Sequence, residues 1–115
     1  MKCIVDGSDI WVGFDLDKTL AYYDEWKGEE FIGDAIPSIV ELLKYTIELG
    51  KFVGFEVRIF TARATTLNGA TYVHQWLKER GFGNLKVTNQ KDHGCRCIID
   101  DRVIRCVPNE GNLVL

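Results

Sequence analysis

Apolar positions fall in short blocks along the chain, and the spacing inside each block predicts an element. Ile10-Trp11-Val12-Gly13-Phe14 is a continuous apolar run that stops at Asp15, the pattern of a buried strand. Before it, Cys3-Ile4-Val5 followed by Asp6-Gly7 suggests a small hairpin partner. Residues 21–33 are aromatic, acidic and glycine-containing without a helical period, so they read as a loop or small flap. Ile36, Ile39, Val40, Leu43 and Ile47 then recur at helical spacing. With Pro37 in the first turn and Gly50 as a stop, they predict a helix over 37–49. Phe55, Val57 and Ile59 alternate with Glu56 and Arg58, which predicts a strand ending near Phe60 with Gly54 as a bulge at its start.

Thr65 or Thr66 can cap a second helix whose inner face carries Ala70, Val73 and Leu77 and which Gly81 ends. Short strands follow at 85–87, at 97–99 before Asp100-Asp101, and at 103–107 before Pro108 and a turn at Asn109-Glu110-Gly111. Strands alternating with helices imply an α/β fold with a mainly parallel sheet and helices on its faces. Only residues 100–102 separate the last two strands, too few for a parallel crossover, so those two are not parallel neighbours.

Composition narrows the class without naming a function. The 115 residues suit one domain over 1–115, and 46% hydrophobic with 27% charged is ordinary for a globular protein. A formal charge of -3 offers no global field to draw the chain to nucleic acid or an anionic membrane. No apolar run is long enough to span a bilayer, and Met1-Lys2-Cys3-Ile4-Val5-Asp6 turns acidic too early for a secretory leader. Cys3, Cys95, Cys97 and Cys106 lack the density of a disulfide scaffold and contain no Cys-x-x-Cys pair, so the expectation is a cytoplasmic protein with reduced thiols. Cys95 and Cys97 with His93 could form part of a zinc site, but the usual spacing and a fourth ligand are missing, and buried strand cysteines are the simpler reading.

The polar residues at strand ends change the picture. In open parallel sheets ligands bind beyond the carboxyl ends of the strands. Asp15 and Asp17 follow the first of these strands, Thr61 the second, Lys91 lies in the loop after the third, and Asp100 and Asp101 follow the fourth. Four carboxylates on one rim repel one another, and a hard divalent cation such as Mg2+ is the usual remedy. Thr61 and Lys91 suit the oxygens of a phosphoryl group. Asp15 can then attack phosphorus, and Asp17 can protonate the leaving group and later activate water. Taken singly, Thr61 and Lys91 carry little information, and Arg63 serves equally as a substrate contact or a salt-bridge partner.

Phe14-Asp15-Leu16-Asp17-Lys18-Thr19-Leu20 resembles the first motif of the haloacid dehalogenase superfamily, Asp-x-Asp-x-Thr after an apolar strand. Ile59-Phe60-Thr61-Ala62-Arg63 resembles its second motif, Lys91 its third, and Ile98-Ile99-Asp100-Asp101 its fourth, all in family order. The runs from Gly13 through Trp26 and around Asp100-Asp101-Arg102 are similar to small phage and bacterial members. The resemblance implies a three-layer α/β/α sandwich and a magnesium-dependent phosphatase working through an aspartyl phosphate. It implies Asp15 as nucleophile and metal ligand, and Asp17 as acid/base touching the metal through its backbone carbonyl. Thr61 and Lys91 would hold phosphate, Asp100 would complete the metal shell, and Asp101 would ligate through water or orient its neighbours. Two departures stand out: Lys18 occupies a position that is often glycine, where it either crowds the loop or adds a phosphate contact, and the short 88–96 loop lets Lys86 compete with Lys91 for the third role. Residues 21–33 are too short for a cap domain, so the site should be open.

The expected partner is a phosphorylated substrate, whether small molecule, nucleotide or nucleic-acid end, and no membrane. Arg63 is a candidate contact to its phosphate. Tyr22, Tyr23 and Trp26 either form a platform for a base or sugar or pack the flap down. Tyr72 and Trp76 read as a helical core pair. The competing readings are a non-catalytic metal- or phosphate-binding module of the same fold and a receiver-like phospho-acceptor domain. In a receiver the lysine follows the other site residues, whereas Lys91 precedes Asp100-Asp101. Asp17 favours phosphate chemistry over dehalogenation, because an ester leaving group needs a proton and a halide does not.

Overall fold

A computed structural model describes residues 4–5 and 8–114, with side chains from Ile10 onward. The anticipated hairpin is seen as β1 (Ile4–Val5) paired antiparallel with β2 (Ser8–Asp9); Cys3, Asp6 and Gly7 lie outside the described residues. The apolar run becomes β3 (Trp11–Asp15), and β4 (Glu56–Phe60), β5 (Lys86–Thr88) and β6 (Cys95–Ile99) join it in one parallel sheet of order β5-β4-β3-β6. The α/β fold with a parallel sheet is therefore as expected. Between the strands run α1 (Pro37–Val53) and α2 (Leu67–Glu79).

Helix α1 continues past Gly50 and stops at Gly54, which takes a left-handed φ of 107° and returns its N–H to the Gly50 carbonyl. Gly54 is thus a helix C-cap rather than a strand bulge. Gly50 survives inside the helix because a Cβ there would run into the Phe55 carbonyl, so close helix–strand packing outweighs glycine's poor helix propensity. Thr66 is the cap of α2, its hydroxyl accepting the Gly69 N–H at 2.9 Å.

Both helices feed one core. Leu43 of α1 and Val73, Trp76 and Leu77 of α2 pack with Phe14, Val57 and Ile59 of the two central strands. Truncating a fully buried member such as Phe14 to alanine removes about 3–5 kcal/mol. Trp76 also donates its indole N–H to the Gly33 carbonyl at 3.0 Å, which fastens the flap to α2, whereas Tyr72 is largely exposed.

The other face of the sheet is built differently. Trp11 stacks on Phe60, and its ring lies against Gly13, where a Cβ would press on it. Arg58 sits 4.8 Å from the Trp11 ring and pairs with Glu56 and Asp92. The chain returns from β5 to β6 over residues 89–94 without a helix. Asp92 accepts the Trp11 indole N–H at 2.7 Å, and the Gly94 carbonyl accepts the Trp11 backbone N–H at 2.9 Å, which ties this crossover to the start of β3.

The last predicted strand is shorter than expected. Only β7 (Arg105–Cys106) forms from 103–107, and it pairs antiparallel with β8 (Leu113–Val114), a strand the pattern did not signal. As required by the short spacing, it is not a parallel neighbour of β6.

Candidate functional site

The order β5-β4-β3-β6 places the topological switch between β3 and β6, since the chain leaves β3 toward β4 and later crosses back to β6. A ligand crevice is expected outside the carboxyl ends of those two strands. A cavity of about 530 Å³ opens there, and its wall includes Asp15, Asp17, Thr61, Arg63, Asp100 and Asp101. Six of the seven residues singled out from sequence are thus brought together; Lys91 is not.

Asp15 ends β3 and Asp100 directly follows β6, so parallel pairing of adjacent strands sets their carboxylates side by side. Ligand oxygens of Asp15, Asp100 and Asp101 lie within 4.8 Å of one another, the one such grouping among the described residues. Burial, the Asp100 charge and contact with Asp101 push the Asp15 carboxyl up to about 7, against the partial relief of a Thr19 hydrogen bond. The Thr19 hydroxyl lies 3.1 Å from Asp15 Oδ2 and 3.5 Å from Asp101 Oδ1, a buried link between the two strand ends. Among the described residues, the one cation in ion-pair range of this group is Arg102, 3.9 Å from Asp101. An all-carboxylate donor set short of positive charge suits a hard divalent cation.

The turn after Asp15 explains the spacing of the first motif. Thr19, Leu20 and Ala21 N–H groups converge on the Leu16 carbonyl, and Leu16 and Leu20 are buried. Lys18 takes a left-handed φ of 70°, a backbone conformation that glycine adopts without strain. Its ammonium sits over Tyr23 at the cavity wall.

Asp17 stands apart from the three-carboxylate group. Arg63 Nε donates to its Oδ2 at 2.8 Å and Nη2 to its Oδ1 at 3.0 Å, a bidentate pair. Nη1 donates to the Glu29 carbonyl, and the guanidinium lies 5.0 Å from the Trp26 ring. Arg63 is buried with all three nitrogens engaged, so it is placed to position Asp17 and the flap rather than to reach a substrate phosphate. Thr61, also buried, accepts the Arg63 N–H at its hydroxyl and ends β4 at the cavity.

Lys91 is exposed in the 89–94 crossover and is not part of the cavity wall. The physical reason is the shortness of that crossover. Six residues must run from the end of β5 to the beginning of β6, and the neighbouring Asp92 is anchored to Trp11 and Arg58. Lys86 is excluded too, because it opens β5 and pairs with Glu56 at 3.5 Å. The cationic groups the cavity does contain beside Arg63 are Lys18, for which a phosphate contact was one of two options, and Arg102, which had no assigned role. The positions of Lys18 directly after Asp17 and of Arg102 directly after the acidic pair were the available signals.

The zinc alternative finds no support in the geometry, since His93, Cys95 and Cys97 form no ligand grouping among the described residues. Cys95 is half-buried, and burial pushes its thiol up. Cys97 is exposed, not the buried strand cysteine expected, because β6 is an edge strand; Cys106, on β7 outside that sheet, is exposed too. No helix among the described residues is long and apolar enough to cross a membrane. Comparison with protein-family models, curated proteins and solved structures gave no match.

Proposed function

We propose that the chain is a magnesium-dependent phosphomonoesterase of haloacid dehalogenase type that works through an aspartyl phosphate on Asp15. The observation that carries this reading is the convergence of Asp15, Asp100 and Asp101 oxygens within 4.8 Å at the switch point of a parallel sheet. On this reading the sheet is a capless core, with the 89–94 crossover standing where a third layer would be. Asp15, Asp100 and Asp101 would hold the cation, which when bound offsets charge on the carboxylates and on the phosphoryl oxygens.

Asp15 attacks phosphorus as the ester P–O bond breaks, and Asp17 gives its proton to the departing oxygen. In the second half Asp17 takes a proton from water, the water oxygen bonds to phosphorus, and the Asp15 carboxylate leaves. The Arg63 fork holds Asp17 at the cavity wall, and proton delivery requires that carboxylate to turn from the guanidinium toward the leaving group. Thr61 offers its hydroxyl to a phosphoryl oxygen. Lys18 and Arg102 supply the nearby positive charge that sequence order assigned to Lys91. On this reading Lys18→Ala lowers kcat/KM more than Lys91→Ala, and the reverse result returns the third motif to Lys91.

The test is phosphate release from a panel of phosphomonoesters with and without Mg2+. Release that needs Mg2+ and is lost on chelation supports the reading. Release indifferent to chelator refutes the metal role. Mg2+ binding with no release from any ester favours the non-catalytic module.

A further inference from the structure

The cavity wall holds more than the acidic group, and the rest of it has a different chemistry. Trp26 is 57% exposed, yet it is not a loose surface residue. One side of its ring faces the Arg63 guanidinium, which Asp17 locks in place. Arg63 also donates to the Glu29 carbonyl, and Thr66 donates to the Glu29 carboxylate at 2.9 Å, so the flap segment beside Trp26 is tied to the body of the protein. Tyr23 and Phe60 add aromatic surface to the same cavity.

A tryptophan that merely packed the flap down would be buried. This one is backed by the Arg63 guanidinium and yet contributes exposed surface to the cavity wall. A volume of about 530 Å³ is far more than a phosphate group fills and lies within the range of small-molecule sites. Trp26 and Asp15 line the same cavity, so one ligand can meet both with a planar base and a phosphate.

We infer that the cavity takes phosphomonoesters of nucleosides, with the base against the exposed surface of Trp26 and the phosphate at Asp15. This rests on the phosphohydrolase reading above. Free nucleoside monophosphates and the phosphorylated end of an oligonucleotide share this chemistry. Base stacking on an aromatic ring contributes about 1–3 kcal/mol, a factor of about five to 150, and a preference of about tenfold over a phosphate ester without a base lies within it.

The experiment measures kcat/KM with Mg2+ for adenosine 3′- and 5′-monophosphate, for 3′- and 5′-phosphorylated short oligonucleotides, and for glycerol phosphate. The expected result is a nucleotide-to-glycerol-phosphate ratio of about ten or more, falling toward one in Trp26→Ala and kept in Trp26→Phe. The better substrate between mononucleotide and oligonucleotide identifies the source. A ratio near one in the wild type, or one unaffected by Trp26→Ala, overturns the base site while leaving the phosphatase reading standing. If no ester is hydrolysed, the phosphatase reading falls, and the base site is read separately by adenosine monophosphate quenching of tryptophan fluorescence in Asp15→Asn. Quenching that disappears when Trp26→Phe is added supports the base site; absence of quenching overturns it.

Discussion

Two charged clusters lie on this sheet, and they are balanced in opposite ways. At the start of β3 and β4, Glu56 and Asp92 meet Arg58, Lys86 and the Trp11 indole N–H. The indole hydrogen bond in particular holds the Asp92 carboxyl below the usual range. At the carboxyl ends of β3 and β6, Asp15, Asp100 and Asp101 converge with Thr19 as a bridge, and burial with its neighbours' charge drives Asp15 up to about 7. The first cluster supplies its own counter-charge and serves to bind the 89–94 crossover to the sheet. The second leaves a deficit of positive charge inside a cavity, which is how a protein prepares a place for a cation and an anionic substrate.

If that contrast is correct, substitutions in the two clusters fail in different currencies. The largest effect is on turnover. Asp15→Asn lowers phosphate release by on the order of 10³-fold or more while the protein stays folded, as seen by circular dichroism. Retained turnover would dissolve the contrast. Trp11→Ala acts on stability instead, since it removes a fully buried aromatic side chain and costs about 3–5 kcal/mol in denaturant unfolding.

The pH dependence separates the clusters further. The Asp15 carboxyl is raised in the folded protein, so its contribution to stability is full below the unfolded value near 4 and is lost as pH rises through about 7. Melting temperatures of metal-free protein should therefore carry a decline between pH 4 and 8 that Asp15→Asn removes and saturating Mg2+ reverses. Asp92 is lowered, so its contribution is present above the unfolded value and is lost as pH falls through its folded one. Trp11→Phe should accordingly lower stability at neutral pH and flatten the acid limb, leaving the decline toward pH 8 in place. The smallest effect concerns Lys18, whose left-handed backbone is strained for any residue with a Cβ. Lys18→Gly should raise stability by about 0.5 kcal/mol, and a loss would show that the ammonium over Tyr23 matters more than the backbone.

Much of this arrangement was legible in the residues. The apolar run before Asp15 and the alternation around Val57 located the central strands, and the acidic residues at their ends located the site. What was not legible depends on long-range contacts. Gly50 reads as a helix stop in sequence, because only the Phe55 backbone across the gap explains a glycine inside the helix. Lys91 follows a strand and so reads as a site residue, but its position is set by the Asp92 anchor on Trp11, a contact 81 residues away in sequence. Arg63 reads as a substrate contact until its fork on Asp17 is seen. The Leu113–Val114 strand carries no alternation at all and forms only by pairing with Arg105–Cys106.

The most direct test of the central claim is to look for the phosphoryl group on Asp15. Protein turning over a small phosphoryl donor is quenched in acid, with and without Mg2+, and its peptides are analysed by mass spectrometry. The account predicts a phosphoryl mass on the peptide bearing Asp15, present only with Mg2+ and absent in Asp15→Asn. A phosphoryl group on another residue, or none at all while phosphate is still released, would contradict it.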